Sequence, residues 1–182
     1  MTAHADSFGY GYFDDPDGLG YRGYDRELHS WPEAVDECLR RGVETALDIG
    51  CGKGFLVQRL LRAGVDAKGM DVSDYALSFA RGLPCEKSDV RDGVVGQFDA
   101  VIALGVLIYV PEDEITGILE NIRRSTKRIF LFDAHYAEST LRVPDPHRTI
   151  TRPLAWWLET IEQAAFRISP TVAPFKCFEP ST

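Results

Sequence analysis

The chain has 182 residues, 45% of them apolar and 26% charged, with a net charge of -8. That size predicts a single domain with a real core, and no apolar run is long enough to span a membrane. The N-terminus carries acids and no basic-then-apolar leader pattern, so a cytoplasmic protein without a membrane partner is expected. Cys38, Cys51, Cys85 and Cys177 have no C-x-x-C spacing and read as free thiols in a reducing compartment. The acidity argues against nucleic acid as a partner. The one basic cluster, Arg123, Arg124, Lys127 and Arg128, sits at a predicted helix end, where cations complement the helix dipole.

In chain order, residues 1–30 contain Phe8, Tyr10, Tyr12, Phe13, Tyr21 and Tyr24, too many rings for a segment that stays solvated. An aromatic arm over a site is expected, with Tyr12, Tyr21 and Tyr24 as substrate-binding candidates. Ser30, Pro32 and Gly42 predict a helix over 31–41. Strands are predicted at 45–49, 66–70, 85–88, 98–104 and 128–132, the fourth an almost continuous apolar run suited to burial on both faces. Helices are predicted at 55–63 with Leu56, Leu60 and Leu61 inward, at 74–81 behind a Ser73 cap, from Pro111 to about residue 125, and at about 153–165. Two short strands are expected within 166–178. The alternation predicts an α/β fold with a doubly wound, mostly parallel seven-stranded sheet and helices on both faces. One domain is expected over 1–182, with 1–42 as arm and first helix and 43–182 as the core.

Ligands of such sheets lie beyond the carboxyl ends of the strands, where Asp48, Asp71, Asp89 and Asp133 fall. The run Leu47-Asp48-Ile49-Gly50-Cys51-Gly52-Lys53-Gly54-Phe55 goes from strand through glycine turn to helix, which brings backbone N–H groups and a helix N-terminus to a ligand. A dinucleotide fingerprint requires glycine where Phe55 stands, and a Walker loop requires Ser or Thr after its Gly-Lys. Both readings weaken.

The run resembles the first motif of class I S-adenosylmethionine-dependent methyltransferases, an acid followed by G-x-G-x-G, matched by Asp48, Gly50, Gly52 and Gly54. The resemblance covers roughly residues 43–135 and implies a Rossmann-like fold with S-adenosylmethionine as cofactor, held also by the backbone of Cys51. It implies that Asp71, after the second strand, accepts both ribose hydroxyls, with Val72 beside the adenine. It implies that Asp89 meets the adenine amino group and the Val90 N–H a ring nitrogen. Leu104 and Gly105, at the end of Phe98-Asp99-Ala100-Val101-Ile102-Ala103-Leu104-Gly105, then lie under the methionine part, and Tyr109 lines the cofactor. Asp99 is assigned a structural role. The Asn/Asp-Pro-Pro-aromatic signature of enzymes that methylate base or amide nitrogens is missing.

A sulfonium donor carries its own reactivity, so the protein must chiefly align an acceptor and exclude water. Asp133 and His135 after the fifth strand, and His147 in the loop beyond, are the candidate catalytic groups, since imidazole titrates near neutrality. The pairs Asp133/His135 and Asp145/His147 also raise a metal site, which would need two loops to converge and is not adopted. The expected function is methyl transfer to a hydroxyl or amine of a small molecule, such as a sugar, nucleotide-sugar or other biosynthetic intermediate, by a monomer or homodimer. A non-catalytic S-adenosylmethionine-binding protein is the competing reading, and a nicotinamide oxidoreductase a third.

Overall fold

The computed structural model describes residues 7–18, 30–134, 136–137 and 145–181. A seven-stranded sheet in the order β3-β2-β1-β4-β5-β7-β6 forms its centre. The strands are β1 (Thr45–Ile49), β2 (Asp66–Asp71), β3 (Cys85–Lys87), β4 (Phe98–Leu104), β5 (Thr126–Asp133), β6 (Phe166–Ser169) and β7 (Lys176–Pro180). The first five pair in parallel, and β7 runs antiparallel to both β5 and β6. Among the described residues the α-helices are α1 (Tyr10–Phe13), α2 (Trp31–Arg40), α3 (Phe55–Arg62), α4 (Asp74–Leu77), α5 (Ile115–Ser125) and α6 (Leu154–Gln163), with short 3₁₀ turns at Val90–Asp92, Leu107–Tyr109 and Glu112–Glu114.

Side-chain alternation along the central strands divides the core into two layers. Ala100 and Ile102 of β4 pack with Ala34 and Cys38 of α2 and with Leu56, Val57 and Leu60 of α3. Val101 and Ala103, one residue out of phase, pack with Ile118, Leu119 and Ile122 of α5 and with Trp157 and Ile161 of α6. A sheet covered on both faces leaves only its strand ends for a ligand. At the opposite end of β4, Asp99 does the structural work expected of it. Its carboxylate accepts the N–H groups of Glu44 at 2.9 Å and Thr45 at 3.1 Å, beside a register shift in the β4–β5 pairing.

Three local expectations need correction. The predicted helix over 74–81 is one turn, α4, with the chain turning on to Gly82, because Ser73 supplies a cap (Ala76 N–H to Ser73 Oγ, 3.0 Å) but too little apolar periodicity follows. Val57 is fully buried whereas Leu61 is half-exposed, so the inner face of α3 is rotated from the predicted stripe. Ser30 precedes α2 without a side-chain capping bond.

Candidate functional site

The carboxyl ends of β1, β2, β4 and β5 converge on one edge of the sheet. After β1 the chain turns through Gly50, Gly52 and Gly54, at φ of 72°, 53° and 79°, before α3 begins. Gly50 is the position where glycine is required: a Cβ there would lie 2.5 Å from Val106 Cγ2, in a backbone region that side chains disfavour. The turn is tied to β2 by Gly50 N–H and Cys51 N–H, which both donate to the Met70 carbonyl (2.8 and 3.1 Å).

Asp71 closes this side. One carboxylate oxygen accepts the Gly52 N–H and the other the Ser73 N–H, each at 2.8 Å. Each oxygen has further lone-pair capacity, so two ligand hydroxyls can still be accepted. Burial pushes Asp71 upward against the pull of the N–H groups of Ser73, Gly52 and Val72. Asp48, buried on the neighbouring strand, is pushed well above the usual carboxylate range by desolvation, with Cys85 and Asp71 adding to it. Two carboxylates at adjacent strand ends, both held above their ordinary values by burial, would favour a ligand that brings hydroxyl donors or positive charge.

The other predicted donor-side residues fall along the same edge. Val90 is buried in a 3₁₀ turn over Val90–Asp92. Asp89 caps that turn by accepting the Arg91 N–H (2.9 Å), and it also pairs with the Arg91 guanidinium at 2.5 Å. Its carboxylate is therefore engaged locally in this structure. Val72 is half-buried directly after Asp71, and Leu104 is half-buried at the end of β4. Gly105 N–H donates to the Asp133 carbonyl at 2.9 Å.

The opposite wall comes from segments far apart in sequence. α1 brings Tyr12, whose hydroxyl lies 2.7 Å from that of Tyr109. Tyr109 in turn donates to Asp145 Oδ2 at 2.7 Å, which makes Tyr12 the donor in the contact between the two hydroxyls. The Asp145 side chain is fully buried, also accepts the His147 N–H at 2.9 Å, and lies 3.6 Å from Arg148 Nε. Phe8 packs edge-on against Tyr12 and Tyr109 (ring centroids 5.0 and 5.2 Å), and the His147 ring lies 5.9 Å from Phe8 and 6.3 Å from Tyr12. The loop is pinned by Thr149 and Ile150 N–H groups on the Ile108 carbonyl. Tyr12, Tyr109 and His147 are thus brought together. Asp133, at the end of β5, accepts from Tyr136 at 3.3 Å. His135, Tyr21 and Tyr24 lie outside the described residues.

A second bridge was not expected from the sequence. Asp14, just after α1, accepts from Lys53 Nζ (2.8 Å) and from the Tyr75 hydroxyl (2.6 Å). Lys53 is buried inside the glycine turn, with its ammonium 4.6 Å from the centre of the Phe79 ring. Burial works to raise the Asp14 carboxyl, but Lys53 and Tyr75 outweigh it and hold it below its ordinary value. The only sequence signal was a lysine set between two glycines of a turn. Arg148, beside Asp145, was also missed, because a charge in a Pro-rich loop reads as solvated.

Among the described residues no group of three His, Cys, Asp or Glu side chains could hold a metal ion, and no helix is long and apolar enough to cross a membrane.

Comparison with known proteins agrees with this geometry. Residues 47–128 match a family described as a methyltransferase domain. The magnesium-protoporphyrin O-methyltransferase of Rhodobacter capsulatus is 32% identical over 95 residues, 47% of this chain and 42% of that protein. A ubiquinone biosynthesis O-methyltransferase of Pseudomonas paraeruginosa is 28% identical over 116 residues, 53% of this chain and 50% of that protein. The chain spans about half the length of the curated relatives it matches. Among solved structures, magnesium protoporphyrin IX methyltransferase from Synechocystis PCC 6803 with bound SAH superposes with a TM-score of 0.76 at 19% identity, covering 97% of this chain and 98% of that one. A sugar N-methyltransferase from Streptoalloteichus gives a TM-score of 0.72 at 17% identity, covering 90% of this chain and 92% of that one. At those identities the structures speak to the fold alone, which is Rossmann-like, and it is residues 47–128 that carry the similarity to a methyltransferase domain.

Proposed function

We propose that this protein transfers a methyl group from S-adenosylmethionine to a small-molecule acceptor, with 1–182 acting as one unit in which the arm and the 145–150 loop close over the core. The observation that carries the reading is the grouping at the ends of β1 and β2 of a glycine turn, Asp71 with hydrogen-bonding capacity left, and buried Asp48. When bound, S-adenosylmethionine supplies an electrophilic methyl on a sulfonium. In this reading Asp71 holds the ribose, Val72 and Val90 flank the adenine, and Asp89 would have to leave Arg91 to reach its amino group. The turn of Gly50, Cys51, Gly52 and Gly54, with Leu104, Gly105 and Tyr109, cradles the methionine part.

The acceptor would enter beside Tyr12, Tyr109 and the His147 loop, whose packed rings would keep water from the reacting atoms. Bound S-adenosylmethionine would supply the methyl for an in-line displacement, and a residue beside the acceptor would take the acceptor's proton as a base. His147 is the described candidate for that base, with Asp133 and His135 as the alternatives on the adjoining strand end. Oxygen is the favoured acceptor atom, since both curated relatives are named as O-methyltransferases. An amine of a sugar remains the second choice, supported by the sugar N-methyltransferase among the structural neighbours.

Calorimetry with S-adenosylmethionine and S-adenosylhomocysteine, followed by an assay for S-adenosylhomocysteine release over a panel of hydroxylated and amino metabolites, tests the reading. Binding and release support it. Binding with no release across the panel would favour a non-catalytic binding protein, and binding of NAD in place of S-adenosylmethionine would overturn it.

A further inference from the structure

Cys51 and Cys85 come from opposite sides of β2 and meet over Gly69. Cys51 follows β1 and sits in the glycine turn, while Cys85 opens β3 as the register partner of Gly69. A Cβ on Gly69 would lie 2.7 Å from Cys51 Sγ and 2.9 Å from Cys85 Sγ, so the two sulfurs are no farther apart than those distances together allow. Only the missing side chain at Gly69 makes room for both thiols. Both are free, with Cys51 buried and Cys85 half-buried.

The two thiols are not equivalent. Cys51 Sγ donates to the Gly52 carbonyl at 3.9 Å; its closeness holds the Cys85 thiol below its ordinary value despite partial burial, while the same pairing together with burial raises Cys51. Cys85 is therefore the first thiolate of the pair, and the thiolate is the reactive form. The remaining two cysteines differ from it: burial pushes Cys38 up to about 12 and Cys177 up to about 11, so both stay protonated.

We propose that Cys51 and Cys85 are a peroxide-sensitive thiol pair whose disulfide distorts the cofactor turn. The inference rests on the cofactor reading above for its consequence, though not for its chemistry. Cys85 thiolate attacks one oxygen of hydrogen peroxide; the S–O bond forms, the O–O bond breaks, and hydroxide leaves to be protonated to water. Cys51 then loses its proton and attacks the Cys85 sulfenic sulfur, forming S–S as the S–O bond breaks and a second water leaves. Two electrons pass from the thiols to one peroxide. A relaxed disulfide needs Cα atoms roughly 4.4–6.8 Å apart, and these cysteines flank a strand. Cys51 Cβ already lies over β2, 2.8 Å from where a Gly69 Cβ would be, so closure pulls Cys51 from there toward β3. Its neighbours Gly50 and Gly52 carry the turn's bonds to Met70 and Asp71, which that movement pulls on.

The test uses the full chain treated with stoichiometric hydrogen peroxide, alkylated and digested, with S-adenosylhomocysteine affinity measured by calorimetry before and after. The expected result is a linked Cys51–Cys85 peptide and an affinity lower by roughly tenfold or more, as losing a hydrogen bond to a charged group would give. Dithiothreitol should restore it. Cys85→Ser should keep the reduced protein's affinity after peroxide, and Cys85→Ala substitutes if that variant melts early. Alkylatable thiols at both positions after peroxide, overoxidised Cys85 without linkage, or a disulfide with unchanged affinity would each overturn the proposal. A reduced protein that binds no S-adenosylhomocysteine would sink the cofactor reading and the regulatory consequence with it, while the linked peptide would still decide whether the pair forms.

Discussion

The two walls of the site are built in different ways. The wall at the ends of β1 and β2 is made by backbone: glycines at positive φ, N–H groups on Met70 and Asp71, and carboxylates carried on strand ends. The wall opposite is made by side chains, with Tyr12, Tyr109, Asp145 and His147 brought together from three segments and joined by hydroxyl and carboxylate contacts. A backbone wall tolerates little change in shape. A side-chain wall can be rebuilt residue by residue, which would suit the acceptor side of the proposed function.

Substitutions should expose that difference, beginning with the backbone wall. Gly50→Val forces a β-branched residue into the left-handed region, with its Cβ 2.5 Å from Val106 Cγ2. Strain and overpacking together should cost about 3 kcal/mol or more. Urea unfolding should shift accordingly and S-adenosylmethionine binding should disappear; intact binding would place the ligand away from the turn. Asp71→Ala should weaken cofactor affinity by one or two hydrogen bonds to a charged group, about 1.5–3 kcal/mol each, read by calorimetry. An unchanged affinity would put the ribose elsewhere.

Tyr109→Phe tests the side-chain wall. It removes the donor to buried Asp145 and the acceptor for Tyr12, and should lower unfolding stability by about 1–2 kcal/mol. Cofactor affinity should fall less than in Asp71→Ala. A loss as large as that variant's would mean that the two walls are one unit.

Two charge changes carry pH signatures of opposite sign. Asp48 is raised in the folded protein, so it binds its proton more tightly there than in the unfolded chain, and stability falls as pH rises from the unfolded value through the folded one. Asp48→Asn should remove that fall and stabilise the ligand-free protein by about 1 kcal/mol at neutral pH, while cofactor affinity drops. Denaturation curves across roughly pH 4 to 8 would show it. Asp14 is lowered, so its contribution is present above the unfolded carboxylate value and disappears as pH falls through the folded one. Asp14→Asn should cost about 0.5–1 kcal/mol at neutral pH and speed S-adenosylhomocysteine dissociation in stopped flow. An unchanged off-rate would mean that the Asp14–Lys53 bridge does not hold the arm over the turn.

Legibility followed the same division. β1 and β4 match their predicted limits at both ends, because an apolar run buried on both faces and bounded by a turn leaves little freedom in where a strand stops. α4 was overestimated because a good cap at Ser73 says where a helix starts and nothing about how long it lasts. The place of Asp89 after β3 points to a ligand role, and its pairing with Arg91, two residues on, is a local contact that this place in the chain does not announce. Asp14 and Lys53 are 39 residues apart and carry no shared pattern, so their bridge could not be read from spacing.

The order of strands and helices, the glycine turn and the acids beyond the strand ends were all determined by the sequence itself, because each depends on local periodicity or on a backbone angle that only glycine adopts readily. Which side chains face those acids was decided by tertiary structure alone. Tyr12 meets Tyr109, Asp14 meets Lys53, and Cys51 meets Cys85 because packing the arm, the turn and β3 around the sheet brings them within contact distance, and separation along the chain carries no record of it.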